Sequence, residues 1–143
     1  MPDPRRRSAG LKTVLLFQSP RPPYRFPAWY RFPRWIPQPV SYTHLNLVEN
    51  AAKYNRENGS IFISASQQQE DVIIKIEDTG IGIPKEECER IFEPFYRVDQ
   101  SRSRSIGGAG LGLALVKDIV EKHRGTIQVH SRAGQGSEFI LYL

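Results

Sequence analysis

Four short segments occur in an order and at spacings that few folds accommodate: Asn46-Leu47-Val48-Glu49-Asn50, Asp78-Thr79-Gly80-Ile81-Gly82, Gly107-Gly108-Ala109-Gly110-Leu111-Gly112 and Gly134-Gln135-Gly136. Each alone is weak, because glycine-rich turns are common in every fold class. Together they ask for a chain that brings a polar helix face, two glycine loops and a tight turn to one place. That combination suits a single nucleotide pocket.

A chain of 143 residues is the size of one domain, but its two parts differ in composition. Residues 1–40 hold eight of the basic residues, one acidic residue and nine of the 11 prolines, so the formal charge of +5 belongs entirely to them. Residues 1–44 are therefore read as a basic, proline- and aromatic-rich segment, disordered or non-native, and residues 45–143 as the folded domain. Thr13–Phe17 is too short to cross a bilayer, which takes about 20 apolar residues. Arg5-Arg6-Arg7 before it is a poor export signal, since Gln18 and Pro20 end the apolar run early. A cytoplasmic location without direct membrane contact is expected. Cys88 is the only cysteine, which excludes an internal disulfide and a cysteine metal site.

Periodicity becomes legible from residue 61. Ile61, Ile63 and Ala65 alternate with Phe62, Ser64 and Ser66, a polar turn follows, and Val72–Ile76 reads as an antiparallel partner strand. Pro84–Ile91 opens with proline and acidic residues, as helices do. Leu111, Leu113, Ala114, Val116, Ile119 and Val120 recur at helical spacing, with Gly125 as the stop. Ile127–Val129 and Phe139–Leu143 supply two more strands. The sum is an α/β (α+β) two-layer sandwich, a mixed sheet packed against helices.

Residues 45–143 resemble the ATP-binding catalytic domain of the sensor histidine kinases, within the superfamily of the gyrase, Hsp90 and MutL ATPases. Asn46–Tyr54 resembles the N box of that family, Asp78–Gly82 its first glycine box, Phe92-Glu93-Pro94-Phe95-Tyr96-Arg97 its phenylalanine box and Gly108–Leu113 its second glycine box. The phenylalanine box favours the histidine kinases over the other members. The resemblance implies a Bergerat-type fold, ATP and Mg²⁺ as cofactors, a histidine-bearing dimerisation domain in cis or in trans, and a response regulator downstream.

Roles follow residue by residue. The Asn50 amide offers a neutral oxygen to Mg²⁺, which prefers oxygen ligands and keeps waters while touching phosphate, and the resemblance places the metal ligand there. Glu49 lies about 100° around the helix from Asn50, and the resemblance gives it an orienting or polarising part near the γ-phosphate. Asn46 shares a helix face with Asn50, and Lys53 is placed to approach phosphate or water. In the family the residue at Asp78 meets the adenine amino group. Gly80 and Gly82 let backbone approach the base, while Gly108, Gly110 and Gly112, with Leu111 and Leu113, lead into a helix whose N–H groups suit phosphate. Tyr54 and Ile83 line the pocket by family position, and Arg97 faces phosphate or water. Residues 98–109, rich in serine and arginine, read as a mobile lid.

Two departures qualify the resemblance. No phosphoacceptor helix precedes residue 45, and His44, His123 and His130 have the wrong surroundings to replace it, so each is expected as a helix-surface or strand residue. Ile36–His44, with its prolines, is expected to interrupt the helix leading into Asn46, which leaves an N-terminally truncated domain unable to autophosphorylate alone. The competing readings are a serine-phosphorylating anti-sigma kinase of the same superfamily and a basic nucleic-acid module through residues 1–40. Nucleic acid is not the expected partner.

Overall fold

A computed structural model describes residues 13–18, 38–68, 70–98 and 109–143. Its elements, in order, are strand β1 (Thr13–Gln18), helix α1 (Gln38–Lys53), strands β2 (Ser60–Gln68) and β3 (Asp71–Asp78), helix α2 (Gly112–Lys122), and strands β4 (Thr126–Arg132) and β5 (Gly136–Tyr142). The strands form one five-stranded sheet in the order β1-β2-β3-β5-β4. Every pairing is antiparallel, from Thr13 opposite Ala65 at one edge to Arg132 opposite Gly136 at the other. The two-layer sandwich stands, while the expectation of a mixed sheet gives way to strands that all alternate in direction.

Both helices cover one face of the sheet. From α1 come Leu47, Val48, Ala51 and Ala52, from α2 Val116 and Val120, and from the sheet Ile61, Ile74, Ile76, Phe139 and Leu141. The sheet residues follow the period of two read in the sequence, which sends alternate side chains to one face. Leu47, Ile76, Leu141, Val116 and Val120 are fully buried, each worth about 1.5–3 kcal/mol against exposure. Phe92 closes the bottom of this core, edge-on to Phe139 with ring centroids 6.5 Å apart.

Residues before 45 contribute more than the sequence suggested. The helix that the prolines were expected to forbid runs continuously from Gln38, so the boundary at residue 44 falls inside α1. Pro39 stands in the first turn, where its missing N–H would have had no intrahelical partner and its fixed φ already suits a helix. His44, expected at a surface, is buried in α1 together with Thr43. Thr13–Gln18 pairs with β2 along its whole length and takes the edge that would otherwise be left open.

Two other local expectations change. Pro84–Ile91 forms two single 3₁₀ turns, Lys85–Glu87 and Arg90–Phe92, in place of an α-helix. They remain short because side chains eclipse every third residue in this geometry. At the end of α2 the left-handed residue is Arg124 (φ 58°), one position before the expected Gly125. Gly125 N–H donates to Val120 O and Arg124 N–H to Glu121 O, the pairing of a Schellman cap. Gly125 is needed there because a Cβ would sit 2.3 Å from Tyr142 O.

Candidate active site

Helix α1 shows the core one face and an adjoining cavity another. Tyr42, Asn46, Glu49, Asn50 and Lys53 recur at helical spacing along the second face, and all line a cavity of about 600 Å³. That volume lies in the range of small-molecule sites. Asp78, Ile81, Gly82 and Ile83 line it from the loop after β3, and Tyr96, Arg97, Gly110, Leu111, Gly112 and Leu113 from either side of residues 99–108. Tyr54 completes the lining at the end of α1. The structure thus gathers the site residues read from the sequence around one cavity, with two exceptions. Gly108 lies outside the described residues, as does most of the expected lid with Arg102 and Arg104. Gly80 stands behind the wall.

Asp78 ends β3 and is only 7% exposed. Gly80 N–H donates to Asp78 Oδ1 at 2.8 Å. Burial pushes the Asp78 carboxyl up to about 6, against the pull of hydrogen bonds from the Gly80 and Ser137 backbones. The loop that follows is pinned on both sides. Ile81 N–H donates to Tyr54 O at 3.1 Å, Gly134 N–H donates to Ile81 O at 2.7 Å, and Thr79 Oγ accepts from Ser60 N–H at 2.8 Å. A Cβ at Gly80 would meet Tyr54 O at 2.3 Å, and one at Gly82 (φ 69°) would meet Arg132 O at 2.1 Å. The first of these glycines serves the seam between α1 and the loop, the second the seam between the loop and the β4–β5 hairpin.

At the other end, the first turn of α2 has Leu111 as its N-cap, without a side-chain cap bond. Its backbone N–H groups are therefore left to other acceptors. Asn46 faces this turn: a Cβ at Gly112 would lie 3.4 Å from Asn46 Oδ1. Asn46 Nδ2 is buried with no hydrogen-bond partner among the described residues. A buried donor left unsatisfied is costly, and Asn46 sits beside the first turn of α2, where the helix dipole and the leading N–H groups suit an anion. Lys53 adds positive charge, and its pKa is lowered by burial first and Arg97 second, with Glu49 opposing.

Tyr96, also in the lining, is held by two neighbours. Its hydroxyl donates to the Glu87 carboxylate, and that bond is the main reason its pKa is raised. The Arg90 guanidinium lies over the ring, 4.2 Å from the centroid. Phe95 N–H donates to Gly110 O at 2.9 Å, joining the two flanks of residues 99–108. Phe95 itself has φ 66° and is 72% exposed, so of the two phenylalanines in this box only Phe92 packs against the core. The sequence reading missed Ser137. It is a buried serine directly opposite Asp78 in the β3–β5 register, and its place after Gly134-Gln135-Gly136 was the available signal.

The geometry defines a two-layer α/β domain whose one cavity takes in both a recessed carboxylate and the start of a helix. Residues 37–143 match the family of histidine kinase-, DNA gyrase B- and HSP90-like ATPases. The chain belongs to that family. Within it, the domain resembles the ATP-binding catalytic domains of histidine kinases. It is 46% identical over 98 residues to the sensor histidine kinase RppB of Synechocystis sp., an alignment covering 68% of this chain and 22% of that protein. It is 43% identical over 100 residues to the sensor histidine kinase YclK of Bacillus subtilis, covering 69% and 21%. The fold is similar to that of the mycobacterial sensor histidine kinase MprB, with TM-score 0.64 and 31% identity over 73% of this chain and 69% of that one. It is equally similar to full-length ShkA in complex with AMPPNP, with TM-score 0.64 and 33% identity over 73% and 21%. The chain spans about a fifth of the length of the curated relatives RppB and YclK.

Proposed function

We propose that this chain is the ATP- and Mg²⁺-binding catalytic domain of a two-component sensor histidine kinase, donating the γ-phosphoryl group to a histidine on a separate dimerisation domain. The observation that carries the reading is the single cavity that gathers Asn46, Asn50 and Lys53 of α1, the recessed Asp78 and the start of α2. Phosphate oxygens suit the N–H groups at that helix start, and the similarity to histidine kinases supports the same assignment.

In this reading Asp78 accepts a hydrogen bond from the adenine amino group, and Gly82 and Ile83 let the loop backbone lie against the ring. Gly80 keeps that loop on α1. Lys53, Arg97 and the N–H groups from Gly110 to Leu113 hold the phosphates. Asn50 contributes the amide oxygen to Mg²⁺, and one protein oxygen suffices for an ion that keeps its waters and binds phosphate. The metal supplies charge neutralisation on the phosphates when bound. Glu49, on the exposed flank of Asn50, orients the accepting group near the γ-phosphate. Catalysis then rests on positioning and electrostatics, with the accepting histidine and the downstream response regulator on other domains and the whole exchange in the cytoplasm.

The test is phosphoryl transfer in trans. The chain, γ-labelled ATP and Mg²⁺ are incubated with a separately purified histidine-bearing dimerisation domain from a close relative. Acid-labile, base-stable label on that partner is expected, abolished by Asn50→Ala. Acid-stable label would favour the serine-kinase reading, and no label from a chain that binds ATP would contradict the assignment.

A further inference from the structure

Ser131 lies on β4 behind the cavity wall, and hydrogen bonds from three directions meet at its hydroxyl. Ile83 N–H donates to Ser131 Oγ at 2.8 Å. Ser131 Oγ donates to Gly136 O at 2.9 Å, and Ser137 Oγ stands 2.8 Å away. A serine hydroxyl has one proton and two acceptor sites. Gly136 O can only accept and Ile83 N–H can only donate, so the Ser131 proton is committed to Gly136 and the Ser137 hydroxyl donates to Ser131. Ser137, which lines the cavity with Asp78, is then left with lone pairs and no proton to offer a ligand.

We propose that Ser131 is a positioning residue that sets base specificity: it fixes the polarity of the Ser137 hydroxyl and the place of the Ile83 backbone, so that the base end of the cavity selects a 6-aminopurine over a 6-oxopurine. This rests on the nucleotide-binding reading above. The two polar side chains at this end of the cavity, Ser137 and Asp78, then both present acceptors. An amino substituent has two protons to give them, whereas an oxo substituent would meet only lone pairs and lose its hydration uncompensated. Ile83 adds a steric part, because the same Ser131 hydroxyl holds its N–H away from the ligand.

The experiment compares the affinities of ATP and inosine triphosphate, which differ at the 6-substituent and in the hydrogen that the 6-oxopurine carries on N1, for the wild-type chain and for Ser131→Ala, Ser131→Thr, Ser137→Ala and the double alanine variant. The wild type is expected to prefer ATP by about 100-fold or more. Ser131→Ala should cut that preference about tenfold, the worth of a hydrogen bond or so. It should weaken ATP and strengthen inosine triphosphate, since the freed Ser137 proton can then turn to the cavity. Ser131→Thr, which keeps the hydroxyl, should retain the preference, and the double variant should fall no further than the single ones because the two serines act as a unit. Equal loss of both nucleotides in Ser131→Ala, or an unchanged ratio, overturns the proposal. If that variant fails to fold, Ser131→Cys keeps the volume with a weak donor and must still lower the ratio. A wild-type chain that binds neither nucleotide rejects the nucleotide-binding reading itself, while binding with a ratio indifferent to Ser131 rejects only the role of Ser131.

Discussion

Replacing Asp78 with Asn should stabilise the fold at neutral pH while destroying the function proposed for it. The carboxyl is raised from 3.8 to about 6 by burial, which corresponds to about 3 kcal/mol of penalty on the ionised form above pH 6. The amide carries no such penalty and can still accept from Gly80 N–H, but it loses one acceptor oxygen, at about 1 kcal/mol. The net expectation is about 2 kcal/mol in favour of Asp78→Asn at pH 7.5, or roughly 10 °C in Tm for a domain of this size. Because the folded-state value lies above the unfolded one, the wild type holds its full stability below the unfolded pKa and loses it as pH rises through about 6. The advantage of the variant should therefore open across that window and be gone near pH 4. Urea unfolding of both proteins at about pH 4 and pH 7.5 isolates the effect, since other groups titrate alike in the two. A variant that is less stable than the wild type at pH 7.5, or a difference that does not change with pH, would refute the reasoning.

Other substitutions separate the physical causes. Gly82→Ala places a Cβ 2.1 Å from Arg132 O at φ 69° and should cost more than about 2 kcal/mol. Gly134→Ala, also at positive φ but with only the Arg56 side chain at 3.8 Å, should cost about 1 kcal/mol; thermal melts that rank them the other way would contradict the account. Arg124→Gly relieves the left-handed residue in the cap of α2 and should raise stability by about 1 kcal/mol, read as a higher urea midpoint at unchanged slope. Leu47→Ala opens a cavity where α1 meets the sheet and should cost about 2–5 kcal/mol. If the raised carboxyl of Asp78 must be ionised to accept from adenine, ATP affinity should weaken as pH falls below about 6, with proton release on binding near that pH.

Much of the site was legible because its chemistry is local. Asn46, Asn50 and Lys53 share a stripe fixed by helical spacing, and β2, β3, β4 and β5 follow from alternation and turn residues. What escaped depended on contacts distant in sequence or on a finer backbone rule. Pro39 looked like a helix breaker, yet it occupies the one turn where proline is harmless. Thr13–Gln18 becomes a strand through its pairing with β2, a partner about fifty residues away that local pattern does not show. Pro84–Ile91 carries helix-start residues, but no apolar stripe long enough to pack an α-helix, so it stays as 3₁₀ turns. Ser131 and Ser137 look like ordinary strand serines until the register sets one beside Ile83 and the other opposite Asp78.

The central claim is that one cavity, framed by α1, the loop after β3 and the start of α2, binds ATP with Mg²⁺. Calorimetric titration of the chain with a nonhydrolysable ATP analogue, with and without Mg²⁺, tests it most directly when run beside Asn50→Ala and Asp78→Asn. The account predicts binding tightened by Mg²⁺, loss of that tightening in Asn50→Ala with residual metal-free binding retained, and loss of binding in an Asp78→Asn variant that melts higher than the wild type. A folded wild-type chain that takes up no nucleotide, or affinities indifferent to both substitutions, would contradict it.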